Sequence, residues 1–307
     1  MLAPKDKLPI TVILATKNEE SNIIRCISAL AEVERIMVID SKSDDATCRL
    51  ARDHGAEVFQ FDYKGGYPKK RQWAMDNLPI NSEWVMLLDA DEFVPIELWA
   101  EIRKAINLND IDAFLIKKGF HFLGKRFRFG GFSHSAVLLF RKGKARFEFI
   151  IDEPPEALDM EVHERLIVNG KLGRLKTPLI HEDCKGIEAF IAKHNKYSTW
   201  EAKVRLQYLE TGAWGISAVQ QKCIGNAQER RRLLKTIVCH LPFEHIWWFI
   251  NHYIVRLGFL EGRRGLIASR IRSEYISDVR AKIFEMKLNE SKKVNLLRNN
   301  EKNITRC

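Results

Sequence analysis

Residues 83–95 read EWVMLLDADEFVP, and the fold turns on them. The apolar run 84–88 stops abruptly at Asp89, Ala90, Asp91 and Glu92. Such a run is short for a helix and has the apolar density of a strand covered on both faces. The acids then sit at the strand's carboxyl end, where open α/β sheets bind ligands. Three carboxylates there suit Mg²⁺ or Mn²⁺, which prefer hard oxygen ligands. Asp89 and Asp91 point the same way if the strand continues. The plainer alternative is a polar turn leading into the helix expected over 95–106, whose first turn favours acids.

Upstream, residues 10–15 (ITVILA) form a β-branched run that predicts a buried strand, followed by the polar loop Thr16, Lys17, Asn18, Glu19 and Glu20. Apolar residues at helical spacing predict a helix over 21–31, with Ser21 or Asn22 as its cap. The unit then repeats: a strand over 35–39 ends in Asp40, a loop over 41–45 follows, and a helix over 46–54 closes at Gly55 before a strand over 57–61. Strands alternating with helices at this spacing mean βαβ units, a mostly parallel sheet and right-handed crossovers. The loops 16–20, 40–45 and 89–92 all follow carboxyl ends of strands and are expected to line one crevice. Residues 64–73 (KGGYPKKRQW) add Lys69, Lys70 and Arg71 ahead of a helix reaching Asn77. No Gly-x-Gly-x-x-Gly follows the first strand and no Walker lysine loop is present, which disfavours dinucleotide enzymes and P-loop kinases.

The chain has 307 residues, 46% hydrophobic and 29% charged, enough for one large domain with an appendage or two modest domains. Its net charge of +10 suggests a polyanionic partner: nucleic acid, a phosphorylated sugar or an anionic membrane surface. Six cysteines without a Cys-x-x-Cys pair argue against a zinc ribbon or disulfide framework and for a reducing compartment. The opening residues MLAPKDKLPI lack the apolar region of a signal peptide, so a cytoplasmic location is expected.

Taken in order, strand-TKNEE, strand-DSKSDDAT, KKRQWAMDN and strand-DADEF resemble the nucleotide-sugar half of a glycosyltransferase family 2 enzyme over roughly the first hundred residues. The resemblance implies the A-type fold, a Rossmann-like α/β domain, and metal-dependent, inverting transfer. By motif position it assigns Thr16, Glu19 and Asp40 to the nucleoside, Lys70 or Arg71 to the diphosphate, Asp89 to the nucleotide, and Asp91 with His181 to the metal. An Asp40 carboxylate can accept the imide N–H of uracil; its alternative use is to cap the loop that follows it. Glu164, in EVHERL over 161–166, matches the Val-His-Glu pattern of a subset of the family close to polysaccharide and lipopolysaccharide-core enzymes, and it is the candidate general base. His163 and Glu161 stand beside it, and their roles remain interchangeable with its own. The commoner Glu-Asp base motif is absent.

Strands are expected over 112–116 and 136–140, and a strand-like stretch over 174–177 precedes LIHED at 179–183. Between the first two lies FHFLGKRFRFGGF, whose cations and aromatics fit either an acceptor-side loop or, less well, a nucleic-acid stacking surface. From Ile187 the pattern turns helical. Residues 233–260 are aromatic and hydrophobic but are broken by Pro242 and by charged and histidine residues, so a membrane-spanning helix is disfavoured. Two uses remain open for Phe243, Trp247, Trp248, Phe249 and Tyr253: an interfacial helix pair at head-group level, or packing against the catalytic domain. Residues 253–266 also resemble the tail of bacterial surface-polysaccharide transferases with lipid-linked acceptors. The polar tail after Lys287 is expected to fray.

The expectation is therefore a catalytic domain over 1–232, divided near residue 110 into nucleotide-sugar and acceptor halves, and a helical basic region over 233–307. Its activity would be hexose transfer from UDP-hexose to a glycan or lipid-linked acceptor at the inner face of a bacterial membrane, with Mg²⁺ or Mn²⁺. A polyprenyl-phosphate acceptor, a sugar nucleotidyltransferase and a non-catalytic scaffold are the alternatives.

Overall fold

The computed structural model describes residues 7–151, 158–159, 161, 164–182 and 185–304, with side chains as far as Lys292. His163, Asp183 and Cys184 lie outside the described residues. Strands β1 (Leu8–Thr16), β2 (Val33–Asp40), β3 (Glu57–Gln60) and β4 (Trp84–Asp89) run parallel in the order β3-β2-β1-β4. Alternation divides their side chains between two layers. Ile10, Val12 and Leu14 of β1 and Trp84, Met86 and Leu88 of β4 pack with helices α1 (Ile23–Ser28) and α4 (Ile96–Ala105). Ile13, Val85 and Leu87 face the other way, towards Ala74 of α3 (Lys70–Asn77). Each fully buried aliphatic side chain contributes roughly 1.5–3 kcal/mol to this two-sided core. The helix α2 (Thr47–Asp53) completes the second βαβ unit and ends at Gly55, whose φ of +84° suits glycine.

Helix α1 is shorter than the apolar spacing predicts. Asn22 occupies its N-cap position but is fully buried, and its side chain donates to Glu19 Oε2 at 2.9 Å instead of capping. A two-residue strand β5 (Glu92–Phe93) follows β4 after a tight turn.

The sheet continues through β6 (Ala113–Phe122), β8 (His134–Arg141) and β12 (Leu179–His181), with β5 at the far edge. β8 is antiparallel to both β4 and β6, so β4 and β6 run the same way. β6 extends well past the expected end at Ile116 and turns back through β7 (Lys125–Arg126). The stretch FHFLGKRFRFGGF is thus largely strand and hairpin. Its Phe120, Phe122, Phe127 and Phe132 stack on one another and on Phe190, so they are not an open stacking surface. A small antiparallel pair, β9 (Ala145–Phe147) and β10 (Leu166–Val168), lies apart from the main sheet. The strand expected over 174–177 is β11 (Leu172–Arg174) instead. Beyond it, the Lys176 and Thr177 N–H groups donate to Glu101 of α4 at 2.7 and 2.9 Å, which replaces strand pairing there.

Six elements build the described helical region: α5 (Gly186–Thr211), α6 (Ala227–Val238), α7 (Glu244–Ile250), a π-helical turn (Asn251–Val255), a 3₁₀ turn (Gly258–Glu261) and α8 (Arg263–Ile304). Residue 232, where the sequence suggests a division, falls inside α6, and Arg232 pairs with buried Glu148 at 2.6 Å. Ala202 and Leu206 of α5 pack against Tyr275, Ile276 and Val279 of α8. The backbone is helical to Ile304, beyond the point after Lys287 where composition suggests fraying. No Gly or Pro interrupts residues 266–304, and that absence of breakers outweighs polarity.

Candidate active site

The carboxyl ends of β1, β2 and β4 and the start of α3 meet at one place. Thr16, the last residue of β1, donates its hydroxyl to Asp40 Oδ1 at 3.0 Å across the β1–β2 register. Asp40 also accepts the Ser43 hydroxyl and the Ser43 N–H, the latter at 2.7 Å, and a longer 3.4 Å contact from Gln60 Nε2. Burial alone would push its carboxyl up, but these hydrogen bonds outweigh it and hold Asp40 below the ordinary carboxylate range. Asp40 is therefore fully buried and caps its own loop. Glu19 is raised by burial; it accepts from Asn22 and pairs with Lys185 at 2.7 Å.

Lys70 and Arg71 open α3 and point into this crevice, already engaged. Lys70 Nζ donates to the Thr16 carbonyl at 2.8 Å and lies 3.1 Å from Asp159. Arg71 is bonded to Asp89 and donates to the Glu161 carbonyl at 3.0 Å. Asp89 also meets Lys118 of β6 at 3.2 Å. Burial opposes its ionisation, but Arg71 and Lys118 prevail and hold it far below the usual range.

Two residues on, the chain turns and Asp91 faces β12. Its Oδ2 lies 3.4 Å from His181 Nε2 and 3.5 Å from Lys193 Nζ of α5. Its Oδ1 is buried and accepts no hydrogen bond from any described residue. Despite burial, His181 and Lys193 keep Asp91 well below the usual carboxylate range. Glu92 is opposite His181 in the β5–β12 register, fully buried, and raised by burial against the pull of Lys118. Atoms of Asp91, Glu92 and His181 lie within 4.8 Å of one another. Two carboxylates and an imidazole make a donor set that fits a divalent cation, and the orphaned Asp91 oxygen is the atom such an ion would satisfy. Glu92 is the least available of the three. Its Oε1 is 2.5 Å from Lys118 and its Oε2 accepts the Asp89 N–H at 3.1 Å, so it fixes the turn.

Glu161 and Glu164 have different surroundings, and His163 lies outside the described residues. Glu161 accepts the N–H groups of Arg71 and Gln72 at 3.2 and 3.0 Å, capping the start of α3. Glu164 Oε1 lies 2.8 Å from Lys69 Nζ, which sits 4.0 Å over the Trp200 ring. Lys118 and Lys193 escaped sequence reasoning because each is a single cation within an ordinary strand or helix. Their proximity to Asp89 and Asp91 comes from long-range packing alone.

The aromatic run divides. Trp248 is half-buried, stacked on His252 at 5.4 Å and under Arg272 at 5.0 Å, whereas Phe243 and Trp247 are exposed. Among the described residues no helix is long and apolar enough to cross a membrane.

The model of the family described as "Glycosyl transferase family 2" matches residues 11–150, which hold β1 to β9 and the Asp89–Glu92 turn. An uncharacterised glycosyltransferase of Rickettsia typhi is 26% identical over 273 residues, 85% of this chain and 82% of that protein. The lipopolysaccharide core biosynthesis glycosyltransferase LpsC of Rhizobium meliloti is 27% identical over 213 residues, 67% of this chain and 74% of that one. Among solved structures, glucosyl-3-phosphoglycerate synthase of Mycobacterium tuberculosis, in complex with Mn²⁺, UDP and glucosyl-3-phosphoglycerate, aligns at 22% identity with a TM-score of 0.30. That alignment covers 38% of this chain and 44% of that one, and no residue role is transferred from it. With a match to the glycosyltransferase family 2 model over residues 11–150 and glycosyltransferases as relatives along most of its length, the chain is a glycosyltransferase.

Proposed function

We propose that this enzyme transfers a hexose from UDP-hexose to a glycan acceptor of bacterial surface polysaccharide or lipopolysaccharide core, with inversion at the anomeric carbon. Support for the acceptor class is the likeness to a lipopolysaccharide core transferase along two thirds of the chain. The observation that carries the reading is Asp91 at the carboxyl end of the sheet, whose Oδ2 lies near His181 and whose buried Oδ1 accepts from no described residue.

In this reading Asp91 and His181 hold Mg²⁺ or Mn²⁺, which when bound supplies positive charge to the departing diphosphate. Arg71, Lys118 and Lys193 surround the same point and add their cations to the phosphate oxygens. Thr16, Glu19 and Asp40 shape the nucleoside end; the 3.4 Å Gln60 contact on Asp40 is the one an imide N–H would replace. Lys70 ties α3 to the end of β1 and so places Arg71 against Asp89. Glu164, oriented by Lys69, takes the proton from the acceptor hydroxyl as its oxygen bonds to the anomeric carbon and the bond to the diphosphate breaks. One displacement inverts the configuration. A panel of nucleotide sugars incubated with the enzyme, with and without EDTA, tests the donor. UDP release confined to UDP-hexoses and lost on chelation supports the reading, and release from another nucleotide class or unaffected by EDTA contradicts it.

A further inference from the structure

The hairpin that extends β6 and the turn that precedes α8 are bound into one surface. Arg264 Nε donates to the Leu123 carbonyl at 3.0 Å. Glu261 accepts the N–H groups of Arg128 and Phe129 at 2.6 and 2.8 Å, and the Gly130 N–H donates to the Arg256 carbonyl at 2.7 Å. The 3₁₀ turn sits tightly on α8: a Cβ on Gly265 would fall 2.0 Å from the Gly258 carbonyl oxygen. This rigid face nonetheless exposes Leu123, Phe129, Val255, Leu257, Phe259 and Leu260, with Val255 68% and Leu260 50% accessible.

Its charge is one-sided. Arg126, Arg128, Arg256, Arg263 and Arg264 are exposed around the apolar residues. The only acids in residues 119–131 and 241–272 are Glu244 and Glu261. Both are buried, Glu244 against Arg205 and Glu261 against Lys125. Apolar side chains ringed by arginines, with no accessible carboxylate in either of these two segments, match an anionic bilayer, with acyl boundary for the former and head-group phosphates for the latter. A second copy of the chain fits poorly, since a twofold contact would set the arginines against their own images.

We propose that this face docks on an anionic lipid surface. Because β6 runs parallel to β4, the hairpin lies beyond the same end of the sheet as Asp89. Leu123 is about 16 Å along the strand from Lys118. Docking therefore turns the active-site end towards the membrane, and the acceptor class it selects is a glycan on a lipid anchor; this last step rests on the transfer reading, the docking does not.

The test is flotation of the full chain with phosphatidylethanolamine–phosphatidylglycerol vesicles and with phosphatidylcholine vesicles, without any nucleotide. Phe259→Glu/Leu260→Glu and Arg126→Glu/Arg263→Glu are compared, with thermal unfolding and circular dichroism showing that each variant is folded and UDP titration run separately. The proposal expects binding to the anionic vesicles only, weakened by salt and by at least about tenfold in either variant. It is overturned by absence of the full chain from the anionic vesicles, by equal flotation of the folded variants, or by variants that alter only the oligomeric state on sizing. UDP binding that fails while flotation persists would instead count against the transfer reading alone.

Discussion

Lys69 Nζ and Glu164 Oε1 are 2.8 Å apart, with both side chains at most 5% accessible. A buried carboxylate paired with a buried cation is a group with a fixed orientation. Glu161, three residues earlier, is spent on the N-terminus of α3.

That separation gives opposite expectations for the two glutamates. Glu164→Gln keeps the size and the Lys69 contact and should retain UDP affinity while transfer falls by about 10²-fold or more, the scale of lost general base catalysis. Glu161→Ala should cost about 1–2 kcal/mol of stability through the lost cap. Steady-state transfer and denaturant unfolding on both variants check this. Normal turnover in Glu164→Gln would move the base role elsewhere.

A second expectation concerns the helical region. Arg205 has 2% side-chain accessibility and donates to both Glu244 oxygens at 2.8 Å, with Glu201 as its other partner. Removing Glu244 leaves the buried Arg205 and half-buried Lys235 cations to share Glu201, so Glu244→Ala should destabilise by about 3 kcal/mol. Asp53→Ala, which breaks only the exposed Arg49 pair, should change stability by less than about 1 kcal/mol. Urea unfolding of the two variants separates these values.

A third expectation is a pH dependence centred on His252. Its ring stacks on Phe132 at 4.6 Å, and Nδ1 meets the Gly130 carbonyl at 2.5 Å, which makes Nδ1 the protonated nitrogen. Nε2 is buried with no hydrogen-bond partner among the described residues, so a second proton has nowhere to bond. Burial pushes the ring's pKa down to about 4 from an ordinary 6.5, aided by Arg272 and Arg256. Between those values the unfolded chain binds the proton and the folded chain does not, so stability falls as pH drops from 6.5 towards 4. His252→Gln should flatten that part of the profile relative to the parent, as measured by unfolding at pH 7 and pH 5. Parallel profiles for the two proteins would contradict the assignment.

How much of this was legible in the sequence differs by region. The nucleotide half was readable because each strand is a short apolar run cut off by acids or polar residues, and that break coincides with the carboxyl end of β1, β2 and β4. The Asp91–His181 pairing was reachable only through the family resemblance, since 90 residues separate them and only β12 lying beside β5 joins them. Lys118 and Lys193 were not reachable at all. The phenylalanines of the β6–β7 hairpin fit an acceptor-side loop or, less well, a stacking surface in the sequence, because local sequence cannot show that α5 and α8 cover them. Asp40 illustrates the same limit. Its position was clear from the end of β2, but its burial beneath Thr16 and Ser43 depends on how the loop folds back.

The most direct test of the central claim is calorimetric titration of UDP into the enzyme, with and without Mn²⁺, beside Asp91→Ala. The account predicts binding that requires Mn²⁺ and disappears in the variant, because the orphaned Asp91 oxygen is the ion's anchor. UDP binding that is unchanged by Mn²⁺, or that survives intact in Asp91→Ala with its metal dependence preserved, would contradict it.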